Sequence, residues 1–155
     1  MKVKDVMATV VHPCRPHTNL AEAAEVMWTH DCGALPVLDN EGKVIGMLTD
    51  RDICMAVATK GRIAAHITVW ETITGNVYAC HADDDIKEAL KVMGTQKVRR
   101  LPVVDDAGRL RGFLSMNDVV LHADGAKGKM MPELSCDDVV HTLKAICEHR
   151  VLVGL

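Results

Sequence analysis

The feature that most constrains this chain is an internal repeat with an offset of 66 residues. The tripeptide Leu-Pro-Val occupies positions 35–37 and returns at 101–103 in that register. Further matches without a gap pair Glu22, Ala23, Met27, Gly42 and Gly46 with Glu88, Ala89, Met93, Gly108 and Gly112. Because a fixed offset over most of a chain indicates repeated structural units, the sequence predicts two copies of one module followed by a tail.

Each copy has the same predicted order of elements, β-α-β-β-α. A brief β-type run is predicted at 10–11 in the first copy and at 77–78 in the second. A helix follows, in which apolar residues recur three and four positions apart. Two apolar runs around an Asp-rich, Gly-ended connector then indicate a hairpin, and a second helix closes the copy. The predicted N-caps of the first helices are Thr18 or Asn19 and Asp84 or Asp85.

The length of 155 residues suits one domain or two very small ones. One β-α-β-β-α unit alone would expose a face of its sheet and is small for independent stability. We therefore predict an α+β fold in which two repeats, at 1–62 and 63–124, pack sheet to sheet. Aromatic residues make up only 3% of the chain, so aliphatic side chains and methionine must form the core.

The C-terminal segment, 125–155, lies outside the repeat and is predicted to be a linker and one helix. Ser135 and Asp138 have the spacing of a capping box. An apolar stripe at helical spacing follows, formed by Val139, Leu143, Ile146 and Cys147. Because so short a helix is not stable alone, we expect it and the apolar end at 151–155 to dock on their own module or on a partner subunit.

Both copies carry a Ser/Thr-x-x-Asp motif where the last predicted strand meets the last helix. The motif is Thr49 and Asp52 in the first copy, and Ser115 and Asp118 in the second. It satisfies the capping-box pattern of a helix start, which is the commoner meaning of the motif when it stands alone. It also suits a ligand, because a carboxylate can accept from both hydroxyls of a cis-diol, and a helix N-terminus favours phosphate.

The two hairpins with their motifs resemble a known family. The segments at 33–52 and 100–118, with Leu-Pro-Val, the connector glycine and the terminal Ser/Thr-x-x-Asp in order, resemble the cystathionine-β-synthase (CBS) domain. The pair resembles a Bateman module over roughly residues 2–123. This resemblance implies a disc-like tandem with two clefts between the copies that bind adenosine-containing ligands, namely AMP, ADP, ATP, an NAD-type molecule or S-adenosylmethionine.

The resemblance also implies roles for individual residues. Asp52 and Asp118 would accept hydrogen bonds from ribose hydroxyls, and Thr49 and Ser115 would contact ribose or phosphate. Further nucleotide-binding candidates are Gly33 and Ala34, Arg99 and Arg100, and Arg51. Strand alternation allows only one of the adjacent arginines at 99–100 to face a cleft. In this context the motif is a better candidate for a ribose site than for a cap alone, although both roles are compatible at one junction.

Charge and hydropathy exclude other classes of function. The net charge of −3 argues against sequence-independent nucleic-acid binding. No apolar run approaches the roughly 20 residues of a membrane span, and the N-terminus lacks the pattern of a signal peptide. A cytoplasmic location is therefore the expectation.

Six cysteines are present, and we expect them to be reduced, buried and small apolar core residues. His12, Cys14 and His17 lie close together in the sequence HPCRPH, a spacing that could suggest a metal site. No second cluster completes four ligands, so the sequence predicts no metal site.

The leading functional hypothesis is a stand-alone regulatory or sensor module without catalytic residues. It would bind an adenosine-containing regulator, need no other cofactor, form a homodimer and signal to an unknown effector protein. The alternative is a purely structural dimerisation module with empty clefts. A weaker alternative is an enzyme fragment related to inosine-monophosphate dehydrogenase, although the chain has no room for that enzyme's barrel of about 250 residues.

Overall fold

The computed structural model describes residues 1–124 and 132–148. The helices and strands are, in chain order, α1 Leu20–Thr29, β1 Ala34–Leu38, β2 Val44–Thr49, α2 Asp50–Lys60, β3 Cys80–His81, α3 Ile86–Gln96, β4 Arg100–Val104, β5 Leu110–Ser115, α4 Met116–His122 and α5 Cys136–Cys147. This mixture confirms the predicted α+β class. The predicted linker at 125–131 and the apolar end at 151–155 lie outside the described residues.

Both first helices begin at residues predicted as N-caps. Asn19 caps α1 by accepting a hydrogen bond from the backbone N–H of Glu22 at 3.0 Å. Asp85 caps α3 by accepting from the backbone N–H of Lys87 at 2.8 Å. These bonds satisfy N–H groups that have no partner within the helix, and they fix where each helix starts.

A tight hairpin joins the two strands of the first repeat. Ala34 on β1 lies opposite Thr49 on β2 in an antiparallel pair. At the turn, Asp39 Oδ1 accepts from the backbone N–H groups of Glu41 and Lys43, both at 2.9 Å. The turn also needs Gly42, whose φ of +80° is unfavourable for a residue with a Cβ. An equivalent turn between β4 and β5 is formed around Asp105 and Gly108.

The predicted β-type runs at 10–11 and 77–78 are wrong, because the structure has no strand at either position. In the second repeat the strand lies slightly later, as β3, and completes a three-stranded sheet in the order β3-β4-β5. In the first repeat the equivalent segment makes only an isolated parallel bridge to β1, at Cys14. Pro13 and Pro16 flank that residue, and proline cannot donate the hydrogen bonds of a longer strand.

Each repeat begins with a short turn, at 3–7 in the first and at 69–73 in the second, and the repeats exchange these N-terminal turns. Among the described residues, one compact unit contains 1–8, 78–103, 112–124 and 132–148, and the other contains 9–77 and 104–111. The turn at the start of each repeat therefore packs with the hairpin of the other repeat. The predicted boundaries at 62/63 and 124/125 follow the sequence repeat and stay a prediction, since the compact units interleave the two copies.

Two equivalent glycines make room for these exchanged turns. A Cβ at Gly46 would lie 2.5 Å from Ile73 Cδ1. A Cβ at Gly112 would lie 2.7 Å from Met7 Sδ and 3.0 Å from the carbonyl oxygen of Ala8. The repeat therefore has a glycine on its last strand because the other copy's turn lies directly against that strand.

The C-terminal helix α5 packs against α3 of the second repeat. Its Ser135 cap is as predicted, and a Cβ at Gly94 on α3 would lie 3.2 Å from Ala145 Cβ on α5. The predicted apolar stripe is wrong at Cys147, which is exposed, while Thr142 is buried instead. Burial of Thr142 is tolerated because its hydroxyl donates to the Asp138 carbonyl oxygen at 2.9 Å. Within residues 1–124 and 132–148, no helix is long and apolar enough to cross a membrane.

Candidate functional site

The candidate site residues of each repeat meet where its last strand becomes a helix. We call residues 33–34 and 49–52 junction 1, and residues 99–100 and 115–118 junction 2. At junction 1 the backbone N–H of Asp50 donates to the carbonyl oxygen of Gly33 at 3.2 Å. At junction 2 the backbone N–H of Met116 donates to the carbonyl oxygen of Arg99 at 3.0 Å. The same bond at equivalent positions shows that the two junctions have the same local backbone arrangement.

Thr49 and Asp52 form a complete capping box at junction 1. Asp52 Oδ2 accepts from the backbone N–H of Thr49 at 2.9 Å and from its hydroxyl at 2.7 Å. The hydroxyl oxygen of Thr49 in turn accepts from the backbone N–H of Asp52 at 3.1 Å. The structural interpretation of the motif is therefore correct for the first repeat.

The capping box leaves half of the Asp52 carboxylate available. A carboxylate has about four acceptor positions, two on each oxygen. Both hydrogen bonds from Thr49 reach Oδ2, and no residue of the described part of the chain donates to Oδ1. Oδ1 therefore has capacity for the two hydroxyls of a cis-diol while the cap stays intact.

Junction 2 repeats this geometry. Asp118 Oδ2 accepts from the backbone N–H and the hydroxyl of Ser115, at 2.8 Å and 2.5 Å. The backbone N–H of Asp118 donates to Ser115 Oγ at 3.3 Å. Across the described ranges, Oδ1 of Asp118 likewise has no donor. Both carboxylates are half-buried, so a ligand that bound them would be only partly screened by water.

A third capping box, at α5, shows that this geometry alone does not identify a ligand site. Ser135 and Asp138 make the same three bonds, at 2.9, 2.7 and 3.1 Å. This box follows no strand of a hairpin, and Asp138 is ion-paired with Lys87 of α3 at 3.3 Å. The candidate sites differ from it by their position at the edge of a sheet.

Three arginines lie at the junctions. Arg51 and Arg99 are exposed, and Arg100 is half-buried at the start of β4. Within residues 1–124 and 132–148, none of the three guanidinium groups has a hydrogen bond or an ion pair. Their positive charges are thus available to an anionic ligand.

The CBS domain family model matches this chain twice, at residues 3–59 and 69–125. The chain belongs to the CBS domain family. The two matches contain both hairpins and both junctions, so the resemblance predicted from the sequence is confirmed. The tandem of CBS repeats also matches known CBS domain pairs in its fold.

A similar protein of known sequence is hypoxic response protein 1 of Mycobacterium tuberculosis. It is 34% identical over 151 residues, which is 97% of each chain. A crystal structure of hypoxic response protein I, with two coordinated zinc ions, matches with a TM-score of 0.72 over 80% of this chain and 100% of that one. In the part of the present chain that the structure describes, no three His, Cys, Asp or Glu side chains are placed to share a metal ion.

Two further CBS structures contain adenosine compounds. The CBS domain pair of protein MJ0100, in complex with 5′-methylthioadenosine and S-adenosyl-L-methionine, is 28% identical with a TM-score of 0.71. The match covers 78% of this chain and 98% of that one. CBSX2 in complex with AMP is 25% identical with a TM-score of 0.67, over 77% of this chain and 93% of that one.

A pocket of about 470 Å³ lies beside junction 1 in the first CBS repeat. Its lining includes two of the junction residues, Gly33 and Asp50, but not Thr49 or Asp52. The full lining is Ala24, Met27, Trp28, Asp31, Cys32, Gly33, Asp50, Ile53 and Cys54. Sequence reasoning missed the acidic and aromatic members of this set. Helical spacing of positions 24, 27 and 28 is the signal that could have grouped them on one face of α1.

The cysteines do not all follow the prediction that they are buried. Cys14 and Cys80 are buried, and burial raises the pKa of their thiols to about 11 and about 12. Cys54, Cys136 and Cys147 are exposed, so the prediction is wrong for these three. They lie on α2 and α5, where the helix period places them toward water.

The histidine-rich segment HPCRPH does not assemble its own cluster. The ring of His12 instead stacks on that of His30, with the ring centroids 3.4 Å apart. Cys14 points into the core of its unit, away from solvent. The chain therefore uses this segment for packing at the end of α1.

Proposed function

We propose that this CBS protein is a regulatory module that binds an adenosine-containing ligand at its junctions and signals to a partner protein. The observation that carries the proposal is the pair of half-buried carboxylates, Asp52 and Asp118, each with an unused Oδ1 at the same place in its repeat. The ribose of an adenosine compound has the cis-diol that such an oxygen accepts.

The proposal is also supported by relatives of the same family. MJ0100 holds S-adenosylmethionine and methylthioadenosine, and CBSX2 holds AMP. No catalytic residue is assigned, and the similarity to an enzyme is partial: the chain spans 27% of inosine-5′-monophosphate dehydrogenase of Methanocaldococcus jannaschii. Signalling would follow from a shift between conformations, because a ligand that binds one conformation better increases its population.

Titration calorimetry on the full chain tests the proposal. Adenosine, AMP, ATP, NAD and S-adenosylmethionine are the titrants, and at least one should bind. Asp52→Ala and Asp118→Ala should each remove one site or weaken binding at least tenfold. The matched control is Asp138→Ala, which breaks an identical capping box outside the junctions and should leave affinity unchanged. Absence of binding by every titrant at millimolar concentration would leave a purely structural module as the better account.

We also propose that the protein forms a homodimer through α1 and α2 of the first repeat. Trp28 on α1 is 88% exposed, and Met55 on α2 is 48% exposed. Large apolar side chains that project from neighbouring helices are typical of interface anchors. Light scattering that gives only the monomer mass at micromolar concentration would contradict this proposal.

A further inference from the structure

We infer that the two junctions bind ligands of different charge: junction 2 takes a phosphorylated nucleoside, and junction 1 takes a nucleoside without a phosphate. This inference rests on the proposed function, because it assigns a ligand class to each of the proposed sites. The two repeats correspond position by position, because they share the 66-residue offset and the same backbone hydrogen bond at each junction.

The charged residues around the two proposed ribose sites are mainly acidic in the first repeat and mainly basic in the second. At and just before junction 1 the sequence has three carboxylates, Asp31, Asp50 and Asp52, and one arginine, Arg51. At the equivalent positions of the second repeat it has three basic residues and one carboxylate, namely Lys97, Arg99, Arg100 and Asp118. The acidic residues at 31 and 50 thus correspond to a lysine at 97 and a methionine at 116 in the second repeat. The small residues at 33 and 34 correspond to the arginines at 99 and 100.

Local backbone structure does not require the acidic residue at position 31. Asp31 and its equivalent, Lys97, both follow a helix and both have a positive φ, of 49° and 56°. A carboxylate at the C-terminal end of a helix is unfavourable in the helix dipole, whereas an ammonium there is favourable. The helix dipole therefore makes Asp31 less favourable for stability than a lysine would be at this position. Asp31 lines the same pocket as Asp50 beside junction 1.

The two arginines of junction 2 are not neutralised within residues 1–124 and 132–148, whereas Lys97, two residues before Arg99, is ion-paired. The Lys97 ammonium donates to the carbonyl oxygen of Glu148 and lies 4.0 Å from its carboxylate. Arg99 and Arg100 have no such partner in the described ranges. Arginine presents a planar fork of donors that matches two phosphate oxygens. The carbonyl oxygen of Arg99 accepts from the backbone N–H of Met116, two residues before Asp118, at 3.0 Å. Junction 2 therefore keeps positive charge on the segment that adjoins its proposed ribose acceptor, and this charge favours a nucleoside that carries a phosphate.

At junction 1 a phosphate would be surrounded by negative charge rather than positive charge. Gly33 and Ala34 supply no charge at the positions of the arginine pair. The carboxylates of Asp31 and Asp50 lie on the same side as Gly33, since all three line one pocket. A dianionic phosphate there is repelled, while an uncharged or cationic substituent on the ribose is not.

Binding measurements on single-junction variants test this inference. Asp52→Ala leaves junction 2 as the ribose site, and Asp118→Ala leaves junction 1. We expect the Asp52→Ala chain to bind AMP at least tenfold more tightly than adenosine. The Asp118→Ala chain should bind adenosine at least as tightly as AMP. If a variant unfolds at the assay temperature, Asp52→Asn or Asp118→Asn replaces it, because asparagine keeps a capping oxygen.

Charge variants then identify the cause. In the Asp52→Ala chain, Arg99→Gln with Arg100→Gln should lower the ratio of AMP affinity to adenosine affinity from at least ten to about one. In the Asp118→Ala chain, Asp31→Asn with Asp50→Asn should raise AMP affinity at least fivefold. Higher ionic strength should weaken AMP binding at junction 2 and leave adenosine binding unchanged.

Failure of this inference is distinguishable from failure of the proposed function. If the unmodified chain binds neither adenosine nor AMP at millimolar concentration, the proposed function fails, and the inference fails with it. If both single-junction variants bind but have the same ratio of AMP to adenosine affinity, the inference is overturned while adenosine binding stands.

Discussion

Asp52 Oδ2 accepts both the backbone N–H and the hydroxyl of Thr49, at 2.9 Å and 2.7 Å. One residue pair therefore closes the N-terminus of α2 and holds the second carboxylate oxygen in a fixed direction. Ser115 and Asp118 do the same for α4. Helix capping and the proposed ligand binding are thus compatible interpretations of the motif, because the cap uses Oδ2 and leaves Oδ1 for the ligand.

These two roles of the motif, capping a helix and binding a ligand, predict the effect of removing each hydroxyl. Thr49→Ala, Ser115→Ala and Ser135→Ala should each lower the free energy of unfolding by about 1 kcal/mol, the usual cost of losing a polar N-cap. Only the first two should also weaken adenosine or AMP binding, since Ser135 caps a helix away from the junctions. Urea denaturation gives the stability, and calorimetry gives the affinity. Equal loss of affinity in all three variants would contradict the assignment of the junctions.

The exchanged N-terminal turns predict that two equivalent glycines are intolerant of a side chain. Gly112→Ala should destabilise the protein by about 1–3 kcal/mol, in the range of overpacking. The new Cβ would meet Met7 Sδ at 2.7 Å and the fixed carbonyl oxygen of Ala8 at 3.0 Å. Gly46→Ala should cost less, because its Cβ would meet the flexible end of Ile73. Thermal unfolding of both variants tests this order, and a larger loss for Gly46→Ala would refute it.

Most of the fold could be predicted from the sequence because the repeat, the caps and the hairpin connectors are local signals. The exchange of N-terminal turns could not, since a pattern within one copy does not say which hairpin a turn contacts. The strand at Cys14 shrank to a bridge because two prolines flank it. At the junctions, the motif predicted Thr49 and Asp52, but the pocket residues Trp28 and Asp31 required knowing which face of α1 is uncovered. The cytoplasmic location stays a prediction.

Glu71 makes the stability of the folded protein depend on pH in the acidic range. It accepts from the backbone N–H of Thr68 at 2.9 Å and from Arg62 Nη1 at 2.8 Å, and these bonds lower its pKa to about 2. A carboxylate with a lowered folded-state pKa stabilises the folded state above its unfolded-state pKa of about 4.3. That contribution is lost as the pH falls from about 4.3 toward about 2.

The Glu71→Gln variant should therefore lose less stability than the unmodified chain when the pH is lowered through this window. Thermal midpoints across the window measure the effect. Glu25→Gln on α1 is the matched control, because Glu25 is exposed and makes no ion pair in the described ranges. Identical pH profiles for the two variants would show that the Glu71 contacts do not contribute in solution.

The exposed tryptophan of α1 predicts how the proposed homodimer can be broken. Trp28 is 88% exposed beside the pocket of the first repeat, while its equivalent in the second repeat, Gly94, is covered by α5. Because α5 occupies the equivalent face, the second repeat does not offer the same surface. Trp28→Glu should convert dimer to monomer at micromolar concentration, since it would place a charge in an apolar interface. Trp70→Glu is the control, because Trp70 is also largely exposed, at 63%, but lies outside α1 and α2. Sedimentation velocity separates the outcomes: a Trp28→Glu chain that stays dimeric would place the interface elsewhere.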